Sequence, residues 1–381
     1  MRSFTLSGQK IAALASIVLV LIPLRLWGDG GPAHRIDQPF PLQLGTSGGN
    51  INNSTRSSCF GGTLGALVQD AEGDQHVLSN NHVLARTNAA AIGEDIIQPG
   101  LIDQVPTCAK DTNDVVADLS AYIMILFKSR RATPTNTVDA AIAQVRPGAV
   151  DPTGSILDIG GISGDILSPT LNLAVKKSGR TSGLTKGAIS AVNVTVDVSY
   201  GSGKTARFVN QILVTPGSFL AAGDSGSLLV EDVDIAPRAV GLLFAGSSSV
   251  AVANPIQAVL DAFNVTMVGT PPSAKLLLGR MFAWMSRIWR VSESQAASRL
   301  FREVDPAAID AVTRIKERHA SKLFAVPGVV GVGVGFSDRA FGQPVTEVYV
   351  KQATDSLRHA LPSSLDGIEV KMVETGEIFA Y

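Results

Sequence analysis

Gly223-Asp224-Ser225-Gly226-Ser227 is the stretch on which the reading of this chain turns. A serine set among glycines is a candidate nucleophile, because a tight turn exposes its hydroxyl to a neighbouring base. The nucleophile elbow of the α/β-hydrolases needs glycine two places after the serine, and here that place holds Ser227. Working outward, Leu78-Ser79-Asn80-Asn81-His82-Val83 puts a histidine directly after a β-like run, and Val138-Asp139-Ala140-Ala141-Ile142 puts a carboxylate just ahead of another. The order along the chain is histidine, acid, serine, whereas the elbow hydrolases run serine, acid, histidine.

His82, Asp139 and the Gly-Asp-Ser-Gly run together resemble a trypsin-like serine peptidase of the chymotrypsin superfamily. Lys177-Ser178-Gly179-Arg180-Thr181-Ser182-Gly183-Leu184, followed by Gly187-Ala188-Ile189, is similar to a strand-turn-strand segment of the second barrel in bacterial members. The nearest echo is the bacterial trypsin-like group allied to the plant narrow-leaf peptidases. The likeness spans roughly residues 56 to 268. It implies a mainly β fold of two consecutive β-barrels, about 56–150 and 165–268, with the active site in the cleft between them.

The resemblance also implies roles. Ser225 is the nucleophile, His82 its general base, and Asp139 the buried acid that holds the imidazole in one tautomer. Asp118, in Ala117-Asp118-Leu119, is the rival acid, and Asp139 is preferred because Ala140-Ala141-Ile142 matches the family pattern more closely. Backbone N–H groups of Gly223 and Ser225 form the oxyanion hole. Asp224 is read as structural. No basic-residue-Ile-Val-Gly-Gly start precedes Gly61-Gly62-Thr63, so activation by a cut that frees a new N-terminus is not expected. The primary pocket maps to Phe219, Leu220, Phe244 and Gly246, with no acid at its base. Cleavage after Lys or Arg is disfavoured, since a buried cation would go unpaired, and a small or moderate apolar side chain is expected instead. Phe244 stands where the family has a small polar residue.

The bulk properties agree with a globular, β-rich, multi-unit chain. It has 381 residues, many glycines, and few aromatics. Lys plus Arg number 32 against 33 acids, which leaves no global field to gather nucleic acid. No spacing suggests a metal or haem, and no cofactor is expected. In residues 1–27, Arg2 and Lys10 precede an apolar run from Ile11 to Leu24, a signal-peptide h-region or an uncleaved anchor tethering an exported protein to the membrane. Periplasmic or extracellular placement follows from either. Cys59 and Cys108 read equally as a disulfide or as two thiols. Residues 28–55, rich in Gly, Pro, Asn and Ser, read as a linker or loosely held arm.

Beyond residue 253, Asn254 and Pro255 look like the cap and first position of a closing helix. Residues 269–300 form a linker in which Leu276 to Val291, with Arg280, Arg287 and Arg290, reads as an amphipathic helix docked on the peptidase rather than on a membrane. Residues 301–381 form a small α/β domain: a helix over 307–324, strands near 329–336, 345–351 and 367–373, and a short helix near 356–361. Gly331, Gly333 and Gly335 are one face of a strand left bare for close packing, not a phosphate loop. His34, His76, His319 and His359 have no constellation around them and read as structural.

The expected activity is hydrolysis of a protein or peptide substrate by a serine endopeptidase of non-tryptic specificity. The alternative is a catalytically silent binding protein on the same fold. The C-terminal domain has two readings: a cap on the cleft, motivated by Glu377-Ile378-Phe379-Ala380-Tyr381, or an interaction domain for another partner, and the latter is preferred.

Overall fold

The computed structural model describes residues 32–270, 305–340 and 342–381. The leader over 1–27 and nearly all of the 269–300 segment lie outside these residues, and among the described residues no helix is long and apolar enough to cross a membrane. Short apolar-alternating runs broken by Asp and Gly turns give β1 (Thr46–Asn50), β2 (Gly62–Leu64), β3 (Ala66–Gln69), β4 (Gln75–Ser79), β5 (Asp95–Ile97), β6 (Val115–Tyr122), β7 (Thr135–Asn136) and β8 (Ala141–Val145), with a single-turn α1 (Asn81–Leu84) after β4. The middle of the chain forms β9 (Ala174–Lys177), β10 (Thr185–Ser199), β11 (Thr205–Thr215), β12 (Leu228–Glu231), β13 (Ala239–Gly246), β14 (Ala251–Pro255), α2 (Ile256–Phe263) and β15 (Thr266–Met267).

Two curled sheets result. In the first the order is β15-β3-β4-β8-β6-β5-β1-β2. Only Gly65 separates β2 from β3, so the strand at one end of the sheet and the strand next to the other end are halves of one bent segment and the sheet comes round on itself. In the second, β10-β9-β12-β13-β14-β11 run antiparallel and β11 pairs back to β10, which closes a six-stranded ring. Leu64, Leu67, Val77, Leu78, Leu119 and Ile142 pack inside the first, joined by Ile256 and Val259 of α2. Each such side chain contributes about 1.5–3 kcal/mol by leaving water.

The two units meet through main chain. A Cβ on Gly65 would collide with the carbonyl oxygen of Gly226, so the bend in the first sheet is pressed directly against the loop that carries Ser225. Beside it the Thr63 N–H donates to the Ser225 carbonyl at 2.8 Å and the Thr63 hydroxyl donates to the Gly223 carbonyl at 3.0 Å.

The C-terminal elements are α3 (Pro306–Phe324), β16 (Val329–Phe336), β17 (Pro344–Val350), α4 (Asp355–Ala360), β18 (Ser364–Leu365), β19 (Ile368–Glu374) and β20 (Phe379–Ala380). This mainly β architecture with a small α/β unit is the fold class expected, the barrels from the resemblance and the α/β unit from the residue pattern beyond 301. The α/β unit extends the second sheet: β16 pairs with the 15-residue β10, with Val192 opposite Val334 and Val196 opposite Gly331. Buried Lys316 on α3 donates to the carbonyl of Asn193 in β10 at 2.6 Å. The bare glycine face is filled by Tyr349 and Glu347, which lie against Gly331, Gly333 and Gly335.

Two expectations are corrected. Residues 28–55 do not end as a loose arm: β1 is buried throughout and pairs with β2 and β5, while Leu42 and Leu44 enter the core. Glycine there serves close packing, since a Cβ on Gly48 would collide with Leu64. Asn254 is not a helix cap. It lies in β14, α2 starts at Ile256, and the Asn254 amide is engaged elsewhere.

Candidate active site

β4 ends at Ser79 and α1 turns immediately, which stands His82 over the rim of the first barrel. Its Nδ1 donates to Asp139 Oδ2 at 2.6 Å, and its backbone N–H reaches Asp139 Oδ1 at 3.3 Å. Asp139 is fully buried ahead of β8, where its main chain is clamped from both sides. Asn80 donates to its carbonyl at 2.7 Å, and its N–H donates to Asn254 Oδ1 at 3.1 Å. Asn254 is itself held by donating to Gln211 Oε1 at 2.6 Å. Asp118, the rival acid, faces away and pairs with Arg146 at 2.8 Å.

A third donor to Asp139 has no counterpart in the sequence reading. The phenol of Tyr200, just past β10, donates to Asp139 Oδ2 at 2.6 Å. Burial first, and then the Asp139 charge, push the Tyr200 pKa well above its ordinary value, so the phenol keeps its proton. Tyr200 sits in a line of rings, edge-on to His82 at 6.0 Å and to Phe127 at 5.5 Å and stacked on Phe208 at 6.3 Å. Phe208 in turn meets Phe244 at 4.8 Å. The side chain of Phe244 therefore belongs to the core, and the small polar group the resemblance leads one to look for at that place is absent.

Ser225 is buried on its loop between Gly223 and Gly226, whose φ values of +95° and +94° are left-handed and suit glycine. The Ser225 hydroxyl donates to the Phe244 carbonyl at 3.1 Å. Asp224, pointing the other way, is fully buried against Lys177 at 3.1 Å. It also accepts from the N–H groups of Thr181 at 2.7 Å and Ala221 at 2.9 Å and from the Ser182 hydroxyl at 2.5 Å. Burial disfavours the carboxylate, yet the Lys177 ammonium and these hydrogen bonds outweigh it and hold the Asp224 pKa below the ordinary value. The cation that braces this loop is thus an internal lysine from the Lys177-Ser178-Gly179-Arg180 motif.

The remaining face of His82 meets the chain's own last described residues. Nε2 lies 2.9 Å from the main-chain oxygen of Tyr381. With a carboxylate at one nitrogen and a main-chain oxygen at the other, both nitrogens donate, which is the charged imidazolium. Burial opposes that charge, but Asp139 and the Tyr381 oxygen raise the His82 pKa above 6.5. Leu220 and Gly246 face the Tyr381 ring, as a Cβ on Gly246 would lie 3.1 Å from Tyr381 Cε2 and 3.4 Å from Leu220 Cδ2. Phe219 is buried beneath them. Cys59 and Cys108 form a disulfide with Cα atoms 5.6 Å apart, away from these groups.

No protein-family model matches the chain, and no curated protein matches it. Among solved structures it is similar to a glutamic acid specific serine protease described as using a histidine triad in substrate binding, at 21% identity over 59% of this chain and 100% of that one, with a TM-score of 0.41. It is also similar to Cellulomonas bogoriensis chymotrypsin, at 16% identity over 60% of this chain and 98% of that one, TM-score 0.39. Thermobifida fusca protease A is similar at 14% identity over 56% of this chain and 94% of that one, TM-score 0.38.

Proposed function

We propose that the chain is a serine endopeptidase of the chymotrypsin superfamily that cleaves peptide bonds through Ser225, His82 and Asp139. The observation that carries this reading is His82: one ring nitrogen is fixed at 2.6 Å by a buried carboxylate, which leaves the other to meet a main-chain oxygen at 2.9 Å. Burying a carboxylate is costly without strong partners, and the Asp139 carboxylate divides its bonds between His82 and the Tyr200 phenol.

Ser225 Oγ attacks the peptide carbonyl carbon as its proton passes to His82 Nε2, and the carbonyl oxygen becomes an oxyanion held by the N–H groups of Gly223 and Ser225. The imidazolium returns the proton to the departing amine nitrogen, the C–N bond breaks, and an acyl ester remains on Ser225. Water, deprotonated by His82, releases the acyl half as a carboxylate and restores the serine. Lys177 and Asp224 hold the oxyanion loop in shape without chain cleavage.

A fluorophosphonate probe tests the reading. The full chain is expected to gain the phosphonate mass on Ser225, the Ser225→Ala chain is not, and peptide hydrolysis is expected to fall on the order of 10⁴-fold or more in that variant. Absence of both labelling and hydrolysis in the parent would favour a binding protein on this fold.

A further inference from the structure

Ile378-Phe379-Ala380-Tyr381 lies along the open edge of β13 as an added antiparallel strand, with Ala380 opposite Ala245 and Phe379 opposite Gly246. On its other side Ser199 of β10 pairs with Phe379 and donates its N–H to the Ile378 carbonyl at 2.8 Å. Strand addition holds an extended peptide by its main chain and leaves alternate side chains to be read by pockets. That is how this segment is held. Ile378 is fully buried beside Phe208 and Phe244, whereas Phe379 is 43% exposed. A strand recruited only to complete a core would bury its aromatic side chains, whereas here Phe379 is exposed and Tyr381 is half-buried.

The direction of the strand matters as much as its pairing. It runs toward His82 and brings the Tyr381 main-chain oxygen to Nε2, with the Tyr381 ring against Gly246 and Leu220. A substrate's acyl half must arrive in this sense for its carbonyl to reach Ser225. Its delivery is fixed by a short tether: β19 ends at Glu374, the Thr375 N–H donates to the Val350 carbonyl at 3.0 Å, and Glu377 pairs with Lys351 at 3.0 Å. A tether this short gives a local concentration on the order of millimolar, enough to fill a cleft whose affinity for a free product peptide is modest.

Building on the peptidase reading, we propose that Ile378–Tyr381 occupies the chain's own substrate cleft as an inhibitory segment laid like a substrate's acyl half, and that the cleft is therefore shaped for an aromatic side chain at the cleaved residue, a small one before it and a buried aliphatic one at the fourth place. The primary side chain is larger than the small or moderate one expected from the sequence, because Gly246 leaves room for a ring and the Phe244 ring is turned into the core.

The test compares the full chain with a chain lacking Phe379–Tyr381, which retains buried Ile378, and with Tyr381→Gly, which retains the strand. Fluorophosphonate labelling of Ser225 and hydrolysis of acyl-Ile-Phe-Ala-Tyr-anilide are measured for all three. Both variants are expected to label about tenfold or more faster, with a lower apparent KM. Free Ile-Phe-Ala-Tyr peptide is expected to inhibit the shortened chain competitively, and the tyrosyl anilide to be cleaved about tenfold or more faster than its lysyl counterpart. Equal labelling rates and equal KM in all three chains would overturn self-occupancy while leaving the peptidase intact. A lysyl preference would overturn the assigned pocket chemistry, and no labelling of any chain would overturn the peptidase reading and this inference with it.

Discussion

Asp139 and Asp224 are both fully buried carboxylates within the same cleft, and they are solved in opposite ways. Asp224 is matched to a buried lysine, whose pKa burial lowers while the Asp224 charge opposes that shift, and its other bonds come from residues of two neighbouring loops. Asp139 is matched to an imidazole, which changes charge within the physiological range, and to a neutral phenol. The first arrangement fixes a loop once. The second leaves one partner free to gain and lose a proton while the other keeps the carboxylate satisfied throughout. The proposed proton transfer would draw on both arrangements, one that holds a loop and one that holds a titrating ring.

Removing the fixed partner should have the largest effect on stability. Lys177→Met leaves Asp224 buried without its cation, and a loss of about 3–5 kcal/mol is expected, read as a lowered midpoint in urea unfolding. Removing the neutral partner of Asp139 should act on turnover instead. Tyr200→Phe keeps the ring stacking and removes one charge-assisted bond worth about 1.5–3 kcal/mol. The expected result is a fall of about tenfold or more in kcat/KM, with the acid limb of the pH–rate profile displaced and the unfolding midpoint lowered less than in Lys177→Met.

The smallest effect concerns the responsive partner itself. The groups facing His82 are Asp139, Tyr200 and the Tyr381 oxygen, and with the last in place its pKa is raised. A raised pKa means that docking of Tyr381 is favoured in full below the ordinary histidine value and weakens as pH rises through the raised one. A chain lacking Phe379–Tyr381 should therefore have a lower His82 pKa, by less than about one unit or 1.4 kcal/mol, in an NMR titration of its imidazole. An unchanged titration would mean that the Tyr381 contact carries no charge dependence.

What the sequence made legible follows the range of the interactions. β4 over Gln75–Ser79 and β16 over Val329–Phe336 were readable to the residue, because alternation and flanking turns are local signals. His82 and Asp139 were placed by order and by their positions next to such strands. Tyr200 was not, since Tyr200-Gly201-Ser202-Gly203 looks like hairpin punctuation and its partner lies 61 residues away. β1 was hidden for a different reason: Thr46-Ser47-Gly48-Gly49-Asn50 has the composition of a linker, and only the depth of Leu64 across from Gly48 explains why small residues are needed there. Lys177 was quoted within a recognised motif, but its burial against Asp224 is a property of the packed loops and not of the motif's spacing.

The Tyr381 contact has a consequence for how the protein would behave as its amount changes. An inhibitor carried on a separate molecule lets go on dilution, whereas a segment tethered at Thr375 meets His82 in a unimolecular equilibrium. The fraction of occupied clefts is then the same in a dilute and in a crowded compartment. Only something that competes for the edge of β13, breaks the tether, or removes the proton from His82 shifts it.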